Sequence, residues 1–315
     1  MTKDRRRSFL TLQFVVLASV FLFHQLGVAF ANQPLFTFLR TLLTEKELPV
    51  VTWLFPIGGM LSFAFTKRFD AGIARRIPLS FIGSEFVLAT SYLALYGHAS
   101  SLTKNSNSYL DLVAIAVLSM TLGFVQALSW TILITTTLRT LPMCFHKIRA
   151  VASTGWLLAG MSLTQIPNET GVPLLFAFGM IFLAILPALM MDRGFVQPSL
   201  PGLATSSSDQ KSSQILLVVV GLLAAVEVRY GINAQTYVSQ SLGKQGNLFL
   251  MIPIAIEIAL LLTITGKASR CAKTNRWLVV AGPASWVVVI GALCLYKVLG
   301  ATTLFAIGFL AFRES

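Results

Sequence analysis

Charge is scarce in this chain. Only 11% of its 315 residues are Asp, Glu, Lys or Arg, less than half of the roughly 25% in an average soluble domain, which excludes an ordinary water-facing surface. Cysteine is scarcer still. Cys144, Cys271 and Cys294 stand far apart, with no CxxC or Cys/His ligand spacing, which excludes a disulfide framework and a cysteine metal site. There is no H-E-x-x-H, no G-x-S-x-G and no paired aspartate, so the patterns of metalloproteases, serine hydrolases and two-carboxylate enzymes are missing too. The expectation is a protein that is not an enzyme and holds neither metal nor cofactor.

Apolar residues fill the space that charge leaves: 55% of the chain is hydrophobic and its mean hydropathy is +0.77. A bilayer core about 30 Å thick takes roughly 20 apolar residues as helix, and in lipid only helices and closed barrels satisfy their own backbone groups. Ten segments meet or approach that length, near 9–30, 49–66, 77–97, 110–136, 148–166, 173–191, 214–235, 247–265, 277–296 and 300–313. The fold class expected is therefore an all-α polytopic membrane protein of about ten transmembrane helices, with the lipid bilayer as its first partner.

The N-terminus needs a separate decision. Arg6-Arg7-Ser8-Phe9-Leu10 is similar to a twin-arginine export signal, and Ala29-Phe30-Ala31 to a cleavage site. The apolar stretch between them is longer than the roughly 7–15 residues of a signal core, and more apolar segments follow it. It is expected to remain as the first helix.

The formal charge of +12 invites a nucleic-acid reading, but the basic residues sit in short gaps between apolar runs, which is how membrane orientation is encoded. If Lys3, Arg5, Arg6 and Arg7 are cytoplasmic, the alternate gaps on that side bring their Lys and Arg to eighteen. Five lie opposite, Arg40, Lys46, Lys104, Lys244 and Lys297, and Arg229 falls within a helix. This asymmetry predicts a multi-pass protein of the plasma or inner membrane with a cytoplasmic N-terminus, and no nucleic-acid partner.

The longest polar gap, 192–213, carries Pro198, Pro201 and a serine-rich run, the composition of a flexible linker. It divides a six-helix bundle over 1–191 from four helices over 214–315. The loops after helices 2 and 8 match in spacing, since Lys67 and Arg76 are as far apart as Lys267 and Arg276. Helices 7 to 10 are therefore expected to repeat helices 1 to 4, although basic loops also recur for topological reasons.

Residues 145–160 read F-H-K-I-R-A-V-A-S-T-G-W-L-L-A-G. This run resembles the helix 4 to 5 junction of the nucleoside:proton symporter branch of the major facilitator superfamily, approximately F-P-x-I-R-x-x-G-T-I-G-[WF]-x-x-A-G. Ile254-Ala255-Ile256-Glu257 is similar to the family's Q-x-x-E on helix 8, with Ile254 in place of the Gln, and Trp286 is similar to an aromatic of helix 9. The family's Asp-Arg pair after helix 2 has no acidic half here, where the chain reads Lys67-Arg68-Phe69. The resemblance implies a two-bundle carrier that is incomplete at its C-terminal end, since helices 11 and 12 and the acid of helix 10 have no counterpart.

Arg149, Ser153 and Trp156 fall at i, i+4 and i+7 and so share one helix face. The resemblance implies that they contribute to a nucleoside site, where a ring can stack on a base. Read from the residues alone, Arg149 serves equally as an interfacial anchor and Trp156 as packing. Glu257 lies near the bilayer midplane, where a charge costs on the order of 3 kcal/mol or more. It is expected to bind the substrate, to carry a proton, or to pair with Arg229. Glu227 and Arg229 are two apart on a helix and point in different directions. Glu85, deep in helix 3, is either a proton carrier or a buried hydrogen-bonded acid. His24 has the titration range for proton work, but it and Gln25 are equally the kind of polar residue that neighbouring helices satisfy. Gly58, Gly59, Gly155, Gly160 and Gly221 are read as points of close helix approach or as hinges.

Three functions are weighed. The first is a proton-coupled carrier of nucleosides or similar small polar solutes. The second keeps the fold and changes the solute to an aromatic acid, sugar or drug. The third is a degenerate membrane relative that no longer transports.

Overall fold

The structure, a computed structural model, describes residues 3–75, 77–101, 108–167 and 170–191, with seven further helical positions between 251 and 262. Six long helices fill the first four ranges: α1 (Lys3–Leu42), α2 (Glu47–Arg75), α3 (Ile77–Ser100), α4 (Tyr109–Thr140), α5 (Phe145–Leu163) and α6 (Val172–Leu189). Five of them, all but α5, are long and apolar enough to cross a membrane. Helix α5 falls short because His146, Lys147 and Arg149 occupy its first turns. Helices 7, 9 and 10, most of helix 8, and the repeat proposed between helices 7 to 10 and helices 1 to 4, lie outside the described residues.

Local chemistry explains the ends. At the start of α4, Ser108 accepts from the backbone of Asp111, whose carboxylate accepts from the Ser108 backbone N–H at 2.8 Å, a reciprocal capping box. Thr44 and Glu47 do similar work before α2, where the Thr44 backbone N–H donates to the Glu47 carboxylate at 2.9 Å. Gly171 precedes α6 with φ 70°, and a Cβ there would also press on Phe38 at 2.9 Å, so conformation and space both require glycine.

Two boundaries differ from those expected. Helix α1 does not stop near residue 30 but runs on through Asn32, Gln33 and Pro34 to Leu42. Its buried stripe explains why: Leu35, Phe38, Leu39 and Leu42 continue the inward face beyond the proline, so packing overrides the polar signal. Helix α2 carries on through the basic stretch that reads as a loop, ending at Arg75, because Thr66–Arg75 holds no proline to stop it.

Sequence neighbours are not the main packing partners. Helix α1 lies on α5 and α6, α2 on α4, and α3 on both α4 and α6. This pattern is unchanged when α1 exchanges with α4, α2 with α5 and α3 with α6. The glycines obey the same exchange. A Cβ on Gly58 of α2 would strike the Met120 carbonyl oxygen and the Phe124 nitrogen of α4, and one on Gly155 of α5 would meet the same two atom types at Leu22 and Leu26 of α1. Residues 22, 26 and 155 thus correspond to 120, 124 and 58. The packing pattern is that of two three-helix units related by this exchange.

Expectation and structure agree on close approach at Gly58 and Gly155 and differ at Gly59. There a Cβ would find only ordinary contacts, the nearest at 3.7 Å. Gly160 abuts the side chain of Met251 rather than a backbone, and Gly221 lies outside the described residues.

The bundle has an apolar exterior. Val50, Trp53, Ile57 and Leu61 form an exposed stripe on α2, and Phe182, Leu183 and Leu186 are exposed on α6. Polar residues turn inward: His24, Gln25, Ser84, Glu85, Ser129 and Ser153 are all buried. Thr136 and Thr137 hide their hydroxyls by donating to carbonyls one turn back, at 2.7 and 2.9 Å. Apolar surface facing out and hydrogen-bonding groups facing in is the arrangement that lipid requires.

Candidate functional site

The interior polar groups gather where α1, α3, α4 and α5 converge. His24 of α1 and Glu85 of α3, 61 positions apart, form a buried hydrogen-bonded pair in which Nδ1 lies 3.0 Å from both carboxyl oxygens. With Glu85 as a carboxylate, which only accepts, Nδ1 is the donor of the pair. The side chains are 1% and 0% exposed, so each group depends on the other in place of water. One residue earlier on α3, Ser84 accepts a 2.8 Å hydrogen bond from Ser129 of α4 and donates its own hydrogen to the Phe81 carbonyl.

Trp130, half-buried on α4, is the hub of the cluster. His24 stacks on its ring, with centroids 6.3 Å apart and planes within 11°. Phe21 meets it edge-on at 5.5 Å. The guanidinium of Arg149 sits 4.9 Å from the same ring centroid, a cation–π contact worth about 0.5–2 kcal/mol according to its exposure. Two elements of the site thus meet on one indole.

The stripe expected on α5 is present, and each member has an internal partner. Arg149 reaches Trp130; Trp156 donates its indole N–H to the Gln25 side-chain oxygen of α1. Ser153 is buried and its hydroxyl donates to the Arg149 carbonyl at 3.1 Å, within its own helix. Gly160, one turn beyond Trp156, meets Met251, so this face of α5 is directed at the second half of the chain. Glu227, Arg229 and Glu257 lie outside the described residues.

Glu85 and His24 partner each other, which makes them one unit rather than two separate groups. Sequence reasoning missed Trp130, Ser84 and Ser129. A tryptophan inside an apolar run carries no distinguishing signal, and serines at helical spacing read as small packing residues. Among the described residues no group of three His, Cys, Asp or Glu is placed to hold a metal ion.

No protein-family model matches this chain, and no curated protein matches it in sequence. Solved structures do. The crystal structure of the nucleoside transporter NupG matches with a TM-score of 0.67 at 13% identity, over 96% of this chain and 78% of that one. The xylose transporter XylE from E. coli matches in a partially occluded inward-open conformation, with a TM-score of 0.57 at 12% identity over 97% and 83% of the two chains. It also matches in an inward-open conformation, with a TM-score of 0.53. Both proteins are transporters rather than enzymes. All-helical among its described residues, the chain is a multi-pass integral membrane protein with the major-facilitator-type fold shared by NupG and XylE.

Proposed function

We propose that this protein is a secondary active transporter that moves a small polar solute, a nucleoside in the first instance, by proton-coupled alternating access. The observation that carries the reading is the buried polar cluster itself. An apolar bundle with no solute to handle gains nothing from a buried carboxylate, an imidazole and a guanidinium meeting around one indole, because each costs desolvation. Trp156 supplies a ring for a nucleobase and Arg149 a donor fork for ring or hydroxyl oxygens, both on the α5 face directed at the second half of the chain. In this reading residues 1–191 form one bundle, 192–213 link it to the other, and the two rock about a site between them. Glu257 is then a contact from the far side, and Glu227 and Arg229 further candidates for coupling.

The decisive experiment is uptake into proteoliposomes. Labelled uridine should accumulate when the interior is more alkaline than the medium, and accumulation should collapse when a protonophore removes the gradient. Absence of uptake for a panel of purine and pyrimidine nucleosides, with or without a gradient, would remove the nucleoside reading. A sugar substrate is the second reading, favoured by the match to the xylose transporter XylE. Xylose that competes with uridine, or is itself taken up, would support it.

A further inference from the structure

Trp130 touches two polar centres that the sequence gives no reason to connect. On one side is the His24–Glu85 pair, buried and held by two 3.0 Å contacts. On the other is the guanidinium of Arg149, 4.9 Å from the ring centroid. The His24 ring stacks on the same indole within 11° of parallel. We propose that His24 and Glu85 form a proton-binding site, and that Trp130 relays its state to Arg149, so that binding a proton loosens the hold of the indole on the arginine and makes the guanidinium available to the solute.

The proton count is simple. With Nδ1–H committed to the Glu85 carboxylate, the exchangeable proton is the one on Nε2 of the same ring. Without it the pair is a neutral imidazole beside a carboxylate, of charge −1. Taking one proton from the aqueous side gives an imidazolium beside a carboxylate, of net charge zero, and no bond between heavy atoms is made or broken. What changes is the ring lying on Trp130. A neutral imidazole leaves the π density of the indole to Arg149. An imidazolium competes for that density and repels the guanidinium through a low-dielectric interior. The solute-binding cation on α5 therefore feels a proton that never touches the solute.

The charged surroundings of the pair are sparse. On α3 the other ionisable group nearby is Tyr92, two turns beyond Glu85, whose buried hydroxyl has no hydrogen-bond partner. Helix α6 carries no ionisable residue. Asp111 and Arg139 sit near the two ends of α4, and on α5 the group that reaches the cluster is Arg149.

This inference rests on the carrier reading for its biological purpose, but its physical content can be tested without any solute. A cationic imidazole stacked on an indole quenches its emission. The full chain in lipid nanodiscs is titrated from pH 8.5 to 4.5 while tryptophan emission is recorded and helicity is followed by circular dichroism. A single downward step in emission is expected, lost in Trp130→Phe and in His24→Gln. Glu85→Gln, equal in shape but without the counter-charge, should move the step to lower pH. Arg149→Gln, which removes the competing cation, should move it to higher pH. A step that survives unchanged in Trp130→Phe, or that ignores Arg149→Gln while all variants keep their helicity, overturns the relay. Uridine uptake by the same preparations separates the two claims. Uptake without the emission step refutes the relay and keeps the carrier. The step with its three variant responses, but with no uptake of nucleoside or xylose, keeps the relay and refutes the carrier reading.

Discussion

Gly58 of α2 lies against the carbonyl oxygen of Met120 on α4, with no room for a methyl group between them. Gly58→Ala should therefore destabilise the purified protein by about 1–3 kcal/mol, the usual cost of overpacking. Gly59→Ala, where a Cβ would meet only ordinary contacts, should be near neutral. Thermal unfolding in detergent checks both. The exchange relation adds a sharper expectation, that Gly155→Ala at the α5–α1 seam loses about as much as Gly58→Ala. A benign Gly155→Ala would break the equivalence of the two seams.

The His24–Glu85 pair invites a double-mutant cycle. His24→Ala or Glu85→Ala alone strands a buried partner and should cost about 3–5 kcal/mol. Replacing both with apolar residues of similar size, His24→Phe with Glu85→Leu, should recover much of that loss, because no uncompensated charge is left. If the double variant melts as low as the worse single one, the pair is not the energetic unit that its geometry describes.

Trp156 has two separable parts, a ring and an N–H donor. Trp156→Phe keeps a ring and leaves the Gln25 oxygen without its donor, so stability should fall by about 1–3 kcal/mol, with a small change in the KM for uridine. Trp156→Leu removes the stacking surface and should raise that KM roughly tenfold or more, stacking being worth about 1–3 kcal/mol per base. A KM indifferent to Trp156→Leu would return this residue to packing.

Ser153 resembles a substrate-contacting threonine in sequence position, yet its hydroxyl is buried and donates to the Arg149 carbonyl. Ser153→Ala should accordingly change uridine uptake less than about twofold, since a helical back-bond of this kind adds little. Arg149→Gln should abolish it. A large loss in Ser153→Ala would mean that the hydroxyl turns to the solute during transport.

Much of the architecture is legible from sequence because lipid leaves few solutions. The apolar runs at 77–97, 110–136 and 173–191 become α3, α4 and α6 with ends displaced by at most a few residues, and the Arg149–Trp156 stripe follows from helical periodicity. Asn32-Gln33-Pro34 misleads, since three poor transmembrane residues look like an ending while the buried leucines after them continue the stripe. The pairing of His24 with Glu85 is invisible for a different reason. Their 61-residue separation is closed only by how α1 and α3 come together within the bundle, which no local pattern encodes. Trp130 escapes notice because its importance lies in what two other helices, α1 and α5, bring to it.

The two glycine seams also have a mechanical consequence. Where backbone meets backbone, one helix cannot slide past the next without driving a carbonyl oxygen through a Cα, whereas seams made of long side chains yield by rotamer changes. Helices α2 and α4 are locked at one flank of the bundle and α1 and α5 at the other, so α1–α6 behave as a stiff lever. Strain applied at one flank is transmitted to the other instead of being absorbed.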